Sequence, residues 1–175
     1  MKYIITSMLL FVAATLNAQV AIGKESTNGN STLLDFYDLT DNFRGIILPA
    51  VDNVSNALSS VSSNNNGTFL FDKSDKKLKM YENDTWVDLS DEGDDTNLLV
   101  NTSNENSQQQ GVIIGSEISD AKGVLVLESN DKALILPKIA NPHTTVKTPY
   151  PGMMCYDTVG KVLAVFDGKV WNYWR

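Results

Sequence analysis

Residue types that could perform chemistry are few in this chain of 175 residues. It contains one histidine, His143, and one cysteine, Cys155. Together these two cannot provide the ligands of a Cys/His zinc site, and no nucleophile elbow or phosphate-binding loop accompanies them. Cys155 lies on a predicted strand, where a buried apolar role is expected. We therefore predict a protein that is not an enzyme, with no catalytic residues and no cofactors, and with His143 in a surface loop.

Acidic residues are concentrated in one polar run, at Asp88, Asp91, Glu92, Asp94 and Asp95. Calcium takes about six to eight oxygen ligands, but this run does not have the ligand spacing of an EF-hand loop. We interpret it as a solvated acidic segment and assign no metal site. Carboxylate pairs for glycoside hydrolysis remain open, because such groups need only meet in space. The sequence singles out no such pair.

The elements that would position these residues occur twice. Residues 20–89 recur, in diverged form, in residues 112–175, and Gly67 through Ser90 returns as Gly152 through Arg175 at an offset of 85. The matching segments near the start of each copy are 20–23 and 112–115. A duplicated module favours an architectural or binding role, because catalysis seldom needs two copies of one site.

Short apolar segments bounded by polar turns predict strands throughout both copies. The third predicted strand, Gly45–Val51 or Ala133–Ile139, contains a proline at position 49 or 137. Proline lacks the amide donor that a central strand needs, so this strand is predicted to be an edge, or to end or bend there.

The last block of each copy predicts a three-stranded antiparallel meander. Asp167-Gly168 between apolar strands indicates a tight type I′ turn, which needs positive φ at both positions. Asn83-Asp84 at the same place in the first copy indicates a looser turn. Val162–Phe166 is apolar on both faces, so we expect it to be covered on both sides.

The first eighteen residues have the organisation of a secretory signal peptide. Lys2 is positively charged, an apolar run follows, and Ala18 stands at the expected cleavage position. The run is shorter than the ~20 residues that span a bilayer. The mature chain is therefore expected to be secreted or at the cell surface, extracellular or periplasmic, without membrane insertion. The formal net charge of −7 disfavours nucleic-acid and anionic-lipid partners.

The predicted fold class is all-β, with two diverged antiparallel β-modules that carry meander hairpins and are joined by a polar linker. Each module is small for a stable core of its own. The modules are therefore expected to pack together or across chains, and both alternatives stay open. The predicted segments are a signal peptide at 1–18, a β-module at 19–90, an acidic and polar linker at 91–110 and a second β-module at 111–175.

Aromatic side chains are the candidate ligand contacts. Trp86 and Trp171 occupy equivalent positions in the two copies, so we assign both to packing. Trp174 aligns with a leucine of the first copy and is expected in the core. Tyr150 and Tyr173 are the candidates for an exposed contact with a ligand.

With the repeat laid out, the chain resembles a known class of modules. The Ile-Gly pair near the start of each copy, the apolar-Pro end of the third strand, the segment Pro151–Thr158 and the closing segment Phe166–Trp174 are similar to small secreted β-repeat proteins of Gram-negative bacteria. Their modules resemble those of phage tail fibres. The resemblance implies a homo-oligomer, with a trimer favoured.

The expected function is that of a non-enzymatic secreted or cell-surface structural or interaction protein, oligomeric and fibre-like. The variable loops Asp52–Asn66 and Asn141–Pro151 are available for contacts with a surface protein or glycan. The alternative is a glycan-binding adhesin that uses exposed aromatic residues on the β-modules. Thr158 lies in a sequence similar to an O-glycosylation site of such bacteria, and ordinary turn chemistry explains it as well.

Overall fold

The computed structural model describes residues 19–58, 62–99, 111–121 and 123–175, and this part of the chain is built almost entirely of short strands. The first copy contains β1 (Val20–Ile22), β2 (Thr32–Phe36), β3 (Ile46–Ile47), β4 (Ala50–Val51), β5 (Phe69–Asp72), β6 (Lys77–Glu82) and β7 (Thr85–Asp88). The second contains β8 (Val112–Ile114), β9 (Leu125–Leu127), β10 (Ala133–Leu134), β11 (Lys138–Ile139), β12 (Met153–Asp157), β13 (Val162–Phe166) and β14 (Trp171–Trp174). The helical pieces are α1 (Val54–Ala57), α2 (Pro142–Thr145) and a 3-10 turn at Ser63–Asn65. The all-β prediction is confirmed.

Both copies end in the expected antiparallel meander. The sheet order is β4-β5-β6-β7 in the first copy and β11-β12-β13-β14 in the second. Phe69 faces Met80 in the first meander, and Met154 faces Val165 in the second, so the same register recurs at an offset of 85. The two meanders therefore present equivalent residues at equivalent places.

The hairpin turns differ from the prediction. Asn83 and Asp84 have φ angles of 48° and 59°, so the first copy carries the tight two-residue turn with positive φ at both positions. In the second copy four residues separate β13 from β14, and within this turn only Gly168 has positive φ. The carboxylate of Asp167 accepts hydrogen bonds from the amides of Lys169 and Val170 at 2.8 Å, and this arrangement widens the turn. The type I′ prediction for Asp167-Gly168 is therefore wrong.

The proline-containing third strand is interrupted, as predicted. Pro49 separates β3 from β4, and Pro137 separates β10 from β11. Because a proline cannot continue the hydrogen-bond ladder, each third strand is divided into two pieces that pair with different neighbours. The division allows one chain segment to contribute to two sheets.

The first two strands of each copy pair in parallel. Val20 faces Leu34 in the β1–β2 pair, and Val112 faces Leu125 in the β8–β9 pair. Nine residues connect β1 to β2 and ten connect β8 to β9, so in each pair the chain returns to the end of the sheet from which the first strand started. The antiparallel pattern of the meanders did not indicate these parallel pairs.

The main hydrophobic core contains residues from both copies. Its buried members are Leu48, Phe71, Leu78, Leu89, Met154 and Val165. A smaller cluster lies on the other face of the second meander, at Ile139, Met153, Cys155, Ala164 and Phe166. Because β13 contributes to both clusters, the expectation that both of its faces are covered is confirmed.

The start of the predicted linker contacts both copies. The Gly93 amide donates to the Lys76 carbonyl oxygen at 2.8 Å, and the Asp94 amide donates to the Asp167 carbonyl oxygen at 2.9 Å. Residues 100–110 and the predicted signal peptide lie outside the described residues, so the segment boundaries stay predictions. Within the described part of the chain, none of the helices has the length and apolar character needed to cross a membrane.

Phe71→Ala tests whether the two copies share one core. Phe71 is fully buried beside Met154 of the second copy, and the loss of a buried phenylalanine costs about 3–5 kcal/mol. We expect a loss of that size in chemical denaturation, with tryptophan fluorescence and far-UV circular dichroism still changing together. Val170→Ala, at a position 57 % exposed, is the control and should change stability by less than ~0.5 kcal/mol. Separate transitions for the two copies would contradict the shared core.

Candidate functional site

Two strand pairings join the first copy to the second, and together they form what we call the seam. The first pairing places β3 beside β12, with Ile46 facing Met154 in an antiparallel ladder. The Leu48 amide donates to the Gly152 carbonyl oxygen at 3.0 Å and extends this ladder. The second meander is thereby completed by a strand from the first copy.

The second pairing of the seam places β10 beside β2. Ala133 and Thr32 are partners in a parallel ladder. The Ala133 amide donates to the Ser31 carbonyl oxygen, and the Ile135 amide donates to the Leu34 carbonyl oxygen, both at 2.9 Å. The first copy thus receives a strand from the second, so the copies exchange strands within one chain.

Packing across the seam joins equivalent residues of the two copies. Leu48 is buried in the shared core, and its equivalent, Leu136, packs against the same cluster. The indole nitrogen of Trp174 donates to the carbonyl oxygen of Leu89 at 2.6 Å, although the two residues are equivalent in the repeat. The seam therefore combines apolar burial with backbone pairing, as stable assembly interfaces do.

A buried ion pair lies on β2 beside the seam. The ammonium group of Lys24 is 2.8 Å from the carboxylate of Asp35, which is fully buried. Burial alone would raise the pKa of Asp35, but hydrogen bonds from Lys24 and from two backbone amides outweigh it and lower that pKa. A lowered pKa stabilises the fold above the ordinary carboxyl pKa, and this contribution is lost as the pH falls. The group acts structurally.

The other buried carboxylates bind backbone donors. Asp157 accepts hydrogen bonds from the amides of Asn141 at 3.0 Å and Val159 at 2.9 Å. Asp72, its equivalent in the first copy, accepts from the amide and hydroxyl of Ser74. A carboxylate held in this way orders a turn, so it is poorly placed to exchange protons with a substrate. These residues therefore offer no evident acid–base pair.

Tyr173 and His143 lie together at the end of the second meander, although their positions in the sequence do not indicate this proximity. Nδ1 of His143 is 3.0 Å from the hydroxyl oxygen of Tyr173, and the tyrosine is 42 % exposed. Burial of part of the ring raises the pKa of Tyr173, and the nearby Asp157 carboxylate adds to the effect. His143 is exposed, as predicted, but it lies on the short helix α2 and not in a loop. The ligand contact predicted for Tyr173 stays a prediction.

The remaining predicted site residues are dispersed. The Tyr150 hydroxyl accepts a hydrogen bond from the Leu99 amide at 2.7 Å, which orients it towards the start of the linker. Thr158 is exposed in the turn after β12, with its amide donating to the Ile139 carbonyl oxygen. Its side chain is accessible to a modifying enzyme, and its glycosylation stays a prediction.

The tryptophans divide into packed and exposed residues. Trp86 contacts Tyr81 with ring centroids 5.1 Å apart, and Trp171 contacts Phe166 at 5.4 Å, in equivalent places of the two meanders. Both packing assignments are confirmed. Trp174 is 42 % exposed, so its predicted burial is wrong. The smaller Leu89 fits inside the shared core, whereas the Trp174 indole lies at its margin and donates to the Leu89 carbonyl.

Two carboxylates of the acidic run, those of Asp88 and Asp95, have lysine partners. Asp88 pairs with Lys77 at 2.7 Å and with Lys79 at 2.6 Å, and Asp95 pairs with Lys76 at 3.2 Å. Among the described residues, no cluster of three or more His, Cys, Asp or Glu side chains is arranged to hold a metal ion. The run thus contributes ion pairs to the surface of the first meander.

An open groove of about 330 Å³ lies where the copies meet near β8 and β2. Leu33 of the first copy and the segment 128–132 of the second form its walls. Ser119 donates to Glu128, and Ser129 and Lys132 donate to Asp131, so the polar walls are largely paired among themselves. This lining favours a solvent-filled groove between the copies over a ligand pocket.

The single cysteine is unreactive by position. Cys155 is fully buried on β12, and burial raises the pKa of its thiol to about 12, with a further contribution from Asp157. The nucleophile is the thiolate, which forms only when the pH approaches that pKa. The predicted apolar role of Cys155 is confirmed by its burial.

Comparison with known proteins adds one finding. Residues 113–175 match the family model described as phage tail like trimerisation region. No curated protein and no solved structure matches the chain. The match begins within β8, covers the rest of the second copy and supports the resemblance to phage tail-fibre modules. Together with the all-β architecture, it indicates a structural, oligomeric class of protein.

The buried thiol gives a direct test of the packing around β12. At pH 8 the native protein should resist a thiol-reactive disulfide reagent, because a pKa of about 12 leaves roughly one thiol in ten thousand ionised. In denaturant the same thiol should react completely within minutes. Rapid stoichiometric labelling of the native protein would show that β12 is accessible and the burial incorrect.

Proposed function

We propose that this chain is a non-enzymatic structural protein that is secreted or held at the cell surface and assembles into a fibre-like homotrimer. The observation that carries the proposal is the match of residues 113–175 to a phage tail like trimerisation region. The seam supports it, because the module already completes its sheets with strands from another copy of itself.

Exposed apolar side chains support association through the second copy. Val112, Ile118 and Val124 are 60 %, 79 % and 67 % exposed, and Leu125 is 47 % exposed. These residues lie on or beside the two-stranded β8–β9 sheet, and an isolated two-stranded sheet is marginally stable in water. Contiguous exposed apolar surface is typical of interaction sites. A neighbouring chain that covers this sheet would bury the exposed apolar side chains and give the two strands further hydrogen-bond partners.

The use of the polar groups supports a structural role over catalysis. The buried carboxylates order turns or pair with lysine, the thiol is shielded, and the histidine bonds a tyrosine. Secretion is proposed from residues 1–18 of the sequence. The acidic net charge of −7 suits a soluble extracellular partner better than an anionic surface.

The molar mass of purified residues 19–175 tests the proposal. Light scattering on a sizing column, repeated over a hundredfold range of concentration, should give three times the mass of one chain. A trimer buries the exposed β8–β9 surface, so the mass should persist at micromolar concentration. A single-chain mass at every concentration would contradict the proposed assembly.

A second candidate function is a glycan-binding adhesin. Tyr173 and Trp174 are each 42 % exposed on the same strand, β14, and the hydroxyl of Tyr173 bonds His143. Exposed rings stack on sugar faces, and a bonded hydroxyl holds the ring in position. Tyr173 and Trp174 are therefore better candidates for a glycan contact than the other aromatic residues, and such a contact is compatible with a trimer.

A glycan array probed with the wild-type protein and two variants tests the adhesin. Tyr173→Ala removes the ring and should weaken binding of any retained glycan by roughly tenfold or more, because it deletes an exposed anchor. Tyr173→Phe keeps the ring and should retain most of the affinity. If the array captures nothing, or if the alanine variant binds like wild type, Tyr173 is no glycan contact.

A further inference from the structure

The two copies differ in how far their first sheets are completed. In the first copy β2 has two partners, β1 on one edge and β10 on the other. In the second copy β9 is the equivalent of β2, since Val20 faces Leu34 and Val112 faces Leu125. Among the described residues, β8 is the only strand paired with β9. The edge of β9 that corresponds to the β10-binding edge of β2 is thus open.

Burial of equivalent side chains follows the same difference. Leu33 and Leu34 on β2 are 2 % and 1 % exposed, whereas their equivalents, Val124 and Leu125, are 67 % and 47 % exposed. Part of the cover over Leu33 comes from Gly115 in the turn after β8, where a Cβ would lie 3.0 Å from Leu33 Cδ1. The second copy therefore covers Leu33 of the first copy, whereas Val124, the equivalent residue of the second copy, stays exposed.

The exchanged strands use opposite edges. On β10, the amides of Ala133 and Ile135 donate to the first copy. On β3, the amide of Leu48 donates to the second copy. Successive amides of a strand point to opposite edges, and Leu48 is equivalent to Leu136. Each third strand therefore leaves open the edge that its counterpart uses.

The contact between the copies is therefore directional. The first copy gives its third strand to the meander of the second, and the second gives its third strand to β2 of the first. The reciprocal pairings would place β10 beside β5 in the meander of the first copy, and β3 beside β9. Within the described residues one chain makes neither of these pairings. A head-to-tail contact of this kind leaves one unused face at each end.

We propose that a second molecule of this chain makes the reciprocal pairings. β3 of the second chain adds to the open edge of β9 of the first chain, so that Ile46 faces Leu125 between chains as Leu134 faces Leu34 within one chain. The turn at Gly23 of the second chain, equivalent to Gly115, then covers Val124 of the first chain. In return β10 of the first chain adds beside Phe69 of the second, the equivalent of Met154. The inference rests on the proposed homo-oligomer and identifies its interface.

A head-to-tail interface of this kind is compatible with a closed ring of chains. A repeated head-to-tail contact generates a ring when its rotation closes and an open filament when it does not. In a ring every β9 edge and every third strand is paired, so no apolar edge is left for aggregation. A trimer made in this way contains six modules that alternate between first and second copies.

Val124→Lys is the first test. Val124 is 67 % exposed in one chain, so lysine there should leave the single chain folded by circular dichroism. In the proposed interface the lysine would be buried and charged, since Leu33, the first-copy equivalent of Val124, is 2 % exposed in the corresponding contact within one chain. We expect the midpoint concentration for dissociation to rise roughly tenfold or more. Val170→Lys is the matched control, because Val170 is 57 % exposed and its equivalent, Thr85, is exposed as well.

A cysteine pair tests the register of the interface. Ile46→Cys combined with Leu125→Cys should form a disulfide between chains, because facing residues of neighbouring strands lie within the range that a disulfide spans. Non-reducing gels should show covalent dimers and trimers. Cys155 does not compete, because it is buried and its thiol pKa is about 12. Ile46→Cys with Val170→Cys is the control and should remain uncrosslinked.

The outcomes separate the interface from the assembly. A wild-type oligomer that is weakened by Val124→Lys, spared by Val170→Lys and crosslinked at the stated pair supports the interface. A wild-type oligomer with unchanged dissociation in Val124→Lys and no crosslink overturns the interface and leaves the proposed function intact. A wild-type protein that is monomeric at all concentrations overturns both.

Discussion

Short strands depend on neighbouring strands for hydrogen bonds and for cover of their apolar side chains, and the rest of this structure depends on that requirement. Most strands here have five residues or fewer, so one module alone leaves many amides and carbonyls at open edges. The exchange of β3 and β10 pairs such edges and brings apolar side chains of both copies into one core. Stability and assembly therefore come from the same contacts. A module that completes its sheets with strands from a copy of itself is well suited to form a larger homo-oligomer.

Polar groups in the interior strengthen this arrangement without providing evident chemistry. Asp157 orders the turn after β12, Asp167 widens the turn before β14, and Asp35 binds Lys24 beside the seam. Each carboxylate accepts several hydrogen bonds, which offset the cost of burying its charge. The shared feature is turn geometry, and precise turns are what hold short strands in register. This use of acidic residues agrees with a structural protein.

Much of the local structure could be predicted because it depends on neighbouring residues. The meanders, the break at Pro49 and Pro137 and the burial of Cys155 follow from alternation, from the missing proline amide and from apolar surroundings. The turns were harder. Asp167-Gly168 has the composition of a type I′ turn, but the side chain of Asp167 binds the amides that follow it. Trp174 was misassigned because alignment with Leu89 ignores the space that an indole needs.

The sequence by itself determined that this protein is all-β and indicated a repeated order of strands, because these properties depend on residue type and spacing. Only the tertiary structure decided which copy completes which sheet. The third strands of the two copies have similar sequences, and either edge of each could pair. β3 uses one edge and β10 the opposite one, since each edge is chosen by where its partner lies in space. The directional seam, with the open edge of β9 as its consequence, is therefore a property of the folded chain.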